Sequence, residues 1–292
     1  GFGYTGLAYV FVRSGTTWTE QAKLTASDAA LGNYFGLSAS ISDDTAVVGA
    51  NEGPAYVFVR SGTSWTEQAQ LTASGAAESV SISGDTAVVG TYQNYYPGFG
   101  YTGLAYVFVR SGTTWGEETK LTASDAAAGD SFGRSVSLVS DTVVIGAPYD
   151  DAGATDAGSA YVFARIGTTW DEEAKLAPSD PAGGDDFGWS IALSGSVALI
   201  GTPSDNQALV NNAGAAYVFR LVPPPVTFCT AGTSASGCQA SLFAAGIPSA
   251  SASSGFDLLA IRVEGQKDGL FFFGDNGRQA NPWGNSSSYQ CV

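Results

Sequence analysis

Ala8-Tyr9-Val10-Phe11, Ala55-Tyr56-Val57-Phe58, Ala105-Tyr106-Val107-Phe108, Ala160-Tyr161-Val162-Phe163 and Ala216-Tyr217-Val218-Phe219 are one string written five times. Successive copies lie 47, 50, 55 and 56 residues apart, the period of one supersecondary unit in a propeller or solenoid. Such an array has no single privileged core pocket. Any chemistry belongs to recurring loops or to the place where the repeat breaks.

Outward from the fourth string, Phe132–Ser179 reads as four strands. Ser135–Leu138 alternates small polar and apolar residues, and Asp141–Gly146 is a β-branched run too apolar to face water on either side. Tyr161–Arg165 sets Tyr, Phe and Arg against Val and Ala on opposite faces. Trp170–Leu176 places Trp170, Glu172, Ala174 and Leu176 on one face by the same alternation. Gly167 falls in the turn between the last two strands, as do Gly15, Gly62 and Gly112 in the sister repeats, where a tight hairpin needs positive φ. The expected fold is all-β: a β-propeller or propeller-like array of four-stranded antiparallel blades. Trp18, Trp65, Trp115 and Trp170 open the fourth strands, each a turn away from Arg13, Arg60, Arg110 or Arg165. Their repetition marks these cation–π pairs as scaffold.

The chain has 292 residues, 44% of them hydrophobic and only 13% charged; 12 Lys and Arg against 27 Asp and Glu give a net charge of -15. Nucleic acid and anionic lipid need a basic patch, so both are excluded as partners. No apolar run reaches spanning length, which argues against membrane insertion. With no His, imidazole-based triads and acid–base chemistry are out. Glu117 with Glu118 and Glu172 with Glu173 are pairs a glycoside hydrolase could use, yet they sit on repeating strands, where solvation is the default. The expectation is no enzyme. Gly1–Trp18 recurs unchanged as Gly98–Trp115 and there is no Met, so the gene is expected to continue upstream.

Phe35-Gly36, Phe132-Gly133 and Phe187-Gly188 open repeats, and Gly146-Ala147-Pro148 follows a second strand, with Gly49-Ala50-Asn51, Gly90-Thr91-Tyr92 and Gly201-Thr202-Pro203 as decayed forms. Residues 1–222 thereby resemble the FG-GAP repeat of integrin-α-like β-propellers. The resemblance implies an extracellular or cell-surface recognition protein. It departs at the family's calcium loop between the first two strands: Ser42-Asp43-Asp44, Ser83-Gly84-Asp85, Val139-Ser140-Asp141 and Ser194-Gly195-Ser196 hold too few oxygens for a calcium cage.

Counting from residue 1, the array supplies two strands of one blade, three full repeats and a final three strands ending at Arg220. Either further blades precede it, or the partial blades complete one another within or between chains through their open edges.

Two sets of residues are candidate sites. Asp125 with Asp130, and Asp180 with Asp185 and Asp186, follow a Ser-Asp-x-x-x-Gly-Asp/Asn pattern between blades, while Asp150, Asp151 and Asp156 crowd another loop. Carboxylates in Gly-rich loops make calcium the candidate cation; the alternative is that each Asp caps its own turn. The third blade lacks its Phe-Gly opening. Its following loop carries Tyr92, Tyr95, Tyr96, Phe99 and Tyr101, echoed by Phe2 and Tyr4: a platform for sugar or protein, an assembly surface, or filler for lost inter-blade contacts.

Pro223–Pro225 form a stiff linker after the array. In 226–292 the period vanishes and Cys229, Cys238 and Cys291 appear. Phe256–Ile261 and Gly269–Gly274 read as strands. The run Asn276-Gly277-Arg278, Pro282-Trp283-Gly284 and Tyr289-Gln290-Cys291 resembles a small β-sandwich-like C-terminal module of secreted bacterial proteins. Cys229–Cys238 is the nearest pairing, a short loop whose closure contributes about 2–3 kcal/mol. Asn285-Ser286-Ser287 matches a glycosylation sequon. The leading expectation is a secreted structural or adhesive protein that self-associates into a filament or matrix. The alternatives are a monomeric module binding extracellular carbohydrate or protein, and a carboxylate-based hydrolase.

Overall fold

Four of the five Ala-Tyr-Val-Phe strings begin or lie within the third strand of a sheet, and the first begins β1 of a two-stranded sheet. The structure, a computed structural model, describes residues 5–92, 95–96, 100–206, 212–221, 241–245 and 257–261. Blade one is β1 (Ala8–Ser14) and β2 (Thr17–Leu24); blade two is β3 (Ser38–Ser42), β4 (Thr45–Gly49), β5 (Ala55–Ser61) and β6 (Ser64–Leu71). Blade three comprises β7 (Ser79–Ser83) and β8 (Thr86–Thr91), then, after a small hairpin of β9 (Tyr95–Tyr96) and β10 (Gly100–Tyr101), β11 (Leu104–Ser111) and β12 (Thr114–Leu121). Blade four is β13 (Ser135–Val139), β14 (Thr142–Ala147), β15 (Ser159–Ile166) and β16 (Thr169–Leu176). Blade five is β17 (Ser190–Ser194), β18 (Val197–Thr202) and β19 (Ala215–Arg220). All pairings within the blades are antiparallel, and the blades take a propeller arrangement. The expected all-β class and the strand order of each blade are therefore observed.

The core lies between blades, not within them. Val88, Val107 and Leu121 of blade three pack with Phe132, Tyr161, Phe163 and Trp170 of blade four. Blade two offers Val47, Val57 and Leu71 to Tyr106 and Phe108 of blade three in the same way. Each blade thus has an aliphatic face toward its successor and an aromatic face toward its predecessor. Alternation along each strand produces both faces from one sequence.

The Phe-Gly and Gly-Ala-Pro signatures meet at these boundaries. Phe132 lies edge-on to Tyr161 and Phe163, at 5.5 and 6.1 Å between ring centroids, and Phe35 and Phe187 repeat the arrangement. The glycine after the Phe turns its carbonyl onto the glycine that ends the second strand of the preceding blade. A Cβ on Gly146 would stand 2.0 Å from the Gly188 oxygen, and one on Gly90 2.2 Å from the Gly133 oxygen. Only Gly permits that approach. First strands lie side by side, β3 by β7, β7 by β13 and β13 by β17, and their serines join them. Ser40 accepts from the Ile82 N–H (3.1 Å), Ser81 from Leu138 (3.0 Å) and Ser137 from Leu193 (2.9 Å).

The fourth strand departs from simple alternation. A β-bulge slips the register between Val162 and Phe163, so that Val162 faces Ala174 while Phe163 faces Glu172. Ala174 and Leu176 consequently join the aliphatic face, opposite Trp170 and Glu172, and Lys175 comes to stand beside Tyr161. The same slip recurs in blades one, two and three. One residue per blade is left out of the ladder (Gln21, Gln68, Glu118, Glu173), and a bulge re-aims such a side chain.

The chain divides into two units, Gly1–Arg220 and Leu221–Val292. In the second, β20 (Ser241–Ala245) pairs antiparallel with β21 (Asp257–Ile261). β21 falls within the expected Phe256–Ile261 strand and β20 was not anticipated. Gly269–Gly274, Cys229, Cys238 and Asn285 lie outside the described residues.

Candidate functional site

Two clusters at the blade boundaries draw on the residues singled out in the sequence. The first is acidic. Tyr161 donates to Asp125 (2.7 Å) and Asp150 (2.8 Å), and the Lys175 ammonium, brought there by the bulge, bonds both carboxylates at 2.6 and 3.0 Å. Ser159 donates to Asp150 as well (2.9 Å). Burial and the two carboxylates together drive the Tyr161 hydroxyl well above the ordinary phenol range. For Asp125, burial raises the carboxyl, but bonds from Lys175 and Tyr161 outweigh it and hold the group below the usual carboxylate value. Burial lowers Lys175, and its bonds to Asp125 and Asp150 overcome that and raise it. Asp130, also buried, accepts from the Ala127 N–H (2.7 Å); desolvation, reinforced by Asp150 and Asp125, pushes it up to about 6.

Blade five repeats part of the cradle, with Tyr217 donating to Asp180 (2.7 Å) and Asp205 (3.0 Å). In blade two Tyr56 donates to Asp28 (2.8 Å), and burial, then Asp28, raises it to about 12. Where blade three carries Gly75 in place of this Asp, Tyr106 bonds Ser74 instead. The remaining acids serve turns. Asp151 accepts from the Asp156 N–H (3.0 Å), Asp185 from Ala182 (2.7 Å), and Asp186 from the Ser204 hydroxyl (2.6 Å). Of the eight acids named as calcium candidates, the structure brings Asp125 and Asp150 together on the Lys175 ammonium, with Asp130 near enough to feel both carboxylates. Among the described residues no group of three or more acidic, His or Cys side chains is disposed to hold a metal ion. Each turn between first and second strands is two residues long. Its Asp44, Asp85 or Asp141 pairs with Arg60, Arg110 or Arg165 from the third strand.

The second cluster is aromatic. Tyr92 lies against the Arg134 guanidinium, 5.3 Å from its ring centroid, and Trp189 lies 4.3 Å from the same group. Tyr149 meets Trp189 edge-on at 6.3 Å. These four side chains form a ribbon across blades three, four and five, and Tyr149 is exposed. Arg134 and Trp189 each follow a Phe-Gly opening, where blade two has Leu37 and blade three Glu78. A position that varies beside a fixed motif is free of the scaffold's demands, and that internal contrast is the signal by which sequence could have found them. Of the aromatic residues named beforehand, Tyr92 joins the ribbon. Tyr95, Tyr96 and Tyr101 belong to the β9–β10 hairpin, while Phe2, Tyr4 and Phe99 lie outside the described residues.

The scaffold pairs are formed too. Arg60, Arg110 and Arg165 sit over Trp65, Trp115 and Trp170 at 5.4–5.8 Å. Each of these Trp residues donates its indole N–H to the bulged residue of the preceding blade: Trp65 to Gln21, Trp115 to Gln68 and Trp170 to Glu118, at 2.9, 3.2 and 2.9 Å. Arg13 instead donates to the Gly15 carbonyl.

Four segments, residues 18–58, 65–108, 115–163 and 170–219, match the FG-GAP repeat. The chain belongs to the FG-GAP repeat family. Repeats of this family are typical of extracellular or surface proteins. No curated protein matches the chain. Among solved structures, the computationally designed Ika4 protein aligns at 12% identity and a TM-score of 0.41, over 66% of this chain and 94% of Ika4. No helix among the described residues is long and apolar enough to cross a membrane.

Proposed function

We propose that this FG-GAP protein is a secreted, non-enzymatic adhesion module that engages an extracellular carbohydrate or protein through its aromatic ribbon. The carrying observation is Arg134 held between Tyr92 and Trp189 with Tyr149 exposed beside them. Stacked aromatic and guanidinium planes suit the apolar face of a sugar ring or a partner's aromatic anchor, and Tyr, Trp and Arg are the residues in which binding energy concentrates. The paired acids favour no hydrolytic role: Asp125 and Asp150 are engaged by Lys175 and Tyr161, which leaves neither placed as a free acid or base. On a glycan array and on immobilised cell-surface protein, Tyr149→Ala and Trp189→Ala should each weaken binding about tenfold or more with little change in melting temperature. Undiminished binding by both variants would refute the ribbon as the contact surface.

Assembly into a filament or matrix through edge strands is a second reading, favoured by the edge of β19, which has no fourth strand beside it among the described residues. Calcium would have to enter where Lys175 has no counterpart, and titration calorimetry at millimolar calcium tests that.

A further inference from the structure

The aromatic ribbon holds a cation that the array leaves without an acid. From β3 to β18 the cationic side chains are Arg60, Arg110, Lys120, Arg134, Arg165 and Lys175. All but Arg134 form an ion pair with a carboxylate. Arg134 meets no carboxylate among the described residues, and its partners are the rings of Tyr92 and Trp189. In a chain with a net charge of -15, an uncompensated guanidinium is the exception. The scaffold does not require it either. Blade two carries Leu37, Asn51 and Glu52 where the ribbon has Arg134, Tyr92 and Tyr149, and its strands form the same sheet.

The manner in which Arg134 is held decides what it can bind. A guanidinium is planar, and its five N–H groups radiate in that plane. The approach of Trp189 to 4.3 Å engages a face of the group and leaves its edge. Among the described residues that edge donates to no carbonyl, carboxylate or hydroxyl. A stacked face and a free edge suit a planar oxyanion that accepts two parallel N–H bonds. Half-burial against two rings strengthens such bonds by thinning the water around them. Beside them Tyr149, exposed and edge-on to Trp189, offers apolar surface to whatever carries the oxyanion.

We propose that the ribbon recognises a glycan through a sugar that bears one carboxylate, with Arg134 holding the carboxylate and Tyr149 and Trp189 the C–H face of the ring. This inference rests on the ribbon as contact surface and names the chemical class of its ligand. A sugar acid joins its carboxylate directly to a ring, so one rigid group meets the guanidinium and the aromatic surface together. An Asp or Glu side chain of a peptide brings the carboxylate alone and gives up rotamer freedom to do so. The acid must also be isolated. A polymer charged at every ring would meet the field of a protein at -15 with a single guanidinium to answer it.

A glycan array probed with the whole chain tests it. The array carries glycans ending in glucuronic, galacturonic or sialic acid, each beside its methyl ester, and matched glycans ending in a sulfated hexose. At least one acid-ended glycan should bind, and its ester about ten- to a hundredfold less tightly, the range for hydrogen bonds to a charged group. Arg134→Gln should bring the acid down to the affinity of the ester and leave the ester unchanged, with thermal unfolding confirming that the variant is folded. Arg134→Lys keeps the charge but loses the planar fork, and should fall between. Equal losses for acid and ester in Arg134→Gln would make Arg134 scaffold and overturn the proposal. So would an array on which no acid-ended glycan binds, or on which the sulfated glycans bind as tightly. Binding to an Asp- and Glu-rich peptide in place of any glycan overturns the sugar assignment, and leaves the ribbon standing where Tyr149→Ala and Trp189→Ala weaken that binding. A bound ligand that neither of these variants weakens overturns the ribbon and this proposal with it.

Discussion

Gly146→Ala should open the boundary between blades four and five, and Gly201→Ala, the same position one blade later, should not. The new Cβ on residue 146 would lie 2.0 Å from the Gly188 carbonyl oxygen and 2.5 Å from the Ser135 hydroxyl. Ordinary contact between such atoms is about 3.5 Å, so the Gly188 backbone must retreat by more than an ångström. It would also lose the bond it accepts from Ser135 (2.7 Å). Overpacking costs about 1–3 kcal/mol and a lost hydrogen bond about 1 kcal/mol. Ala in place of Gly returns about 0.4–1 kcal/mol through the unfolded chain. The net is a loss of about 1–3.5 kcal/mol, or roughly 2–14 °C in melting temperature for an array of this size. At Gly201 the Cβ meets only the Ser190 hydroxyl, at 2.4 Å, a single rotor that can turn aside. That variant should be neutral or slightly stabilised. Thermal unfolding followed by circular dichroism in dilute solution compares the two. Equal losses, or no loss at Gly146, would refute the idea that the two signatures exist to bring blade backbones together.

Other perturbations probe the acidic cradle and the serine ladder. Asp130 has a folded-state value near 6, above the ordinary 3.8, so its folded state is favoured at low pH and loses stability as pH rises from about 4 to 6. Asp130→Asn should therefore stabilise the protein by up to about 3 kcal/mol at pH 7 and by little below pH 4, which urea titrations at both pH values would show. Lys175→Met leaves Asp150 buried without its cation and should cost about 1–3 kcal/mol, the partly exposed ammonium moderating the effect. The loss should fade only in strong acid, because Asp125 is held below the usual carboxylate range and stays charged until then. Ser81→Ala strips the Leu138 N–H of its acceptor and should cost about 1–2 kcal/mol, with faster amide exchange at Leu138.

Sequence exposed what repeats and hid what interlocks. The third strands, the second-strand Val runs and the Phe-Gly openings were legible because each is a local string. The bulge was not. Trp170-Asp171-Glu172-Glu173-Ala174-Lys175-Leu176 alternates without interruption, and only pairing against β15 reveals that Glu173 is skipped. With the bulge unseen, Lys175 stayed on the outer face of its strand, and the acids around it read as open to a cation. Arg134 and Trp189 escaped for another reason. Arg134 meets Tyr92 of blade three and Trp189 of blade five, and Trp189 meets Tyr149 of blade four, each tens of residues away, and nothing local joins them. Ser241–Ala245 was passed over because Ser-Leu-Phe-Ala-Ala carries neither β-branching nor alternation.

The boundaries of the matched family segments carry a consequence for how such a chain grows. Each runs from the Trp of one fourth strand to the Phe of the next third strand, so the inherited unit straddles two sheets. A duplicated unit therefore arrives with its Phe-Gly opening and the Tyr and Phe it packs on already matched, and its bulged acceptor and its serine meet the Trp and Glu with which every following unit begins. Copying lengthens the array without creating a boundary that selection must repair. The unchanged recurrence of Gly1–Trp18 at Gly98–Trp115 is what recent copying of this kind leaves behind.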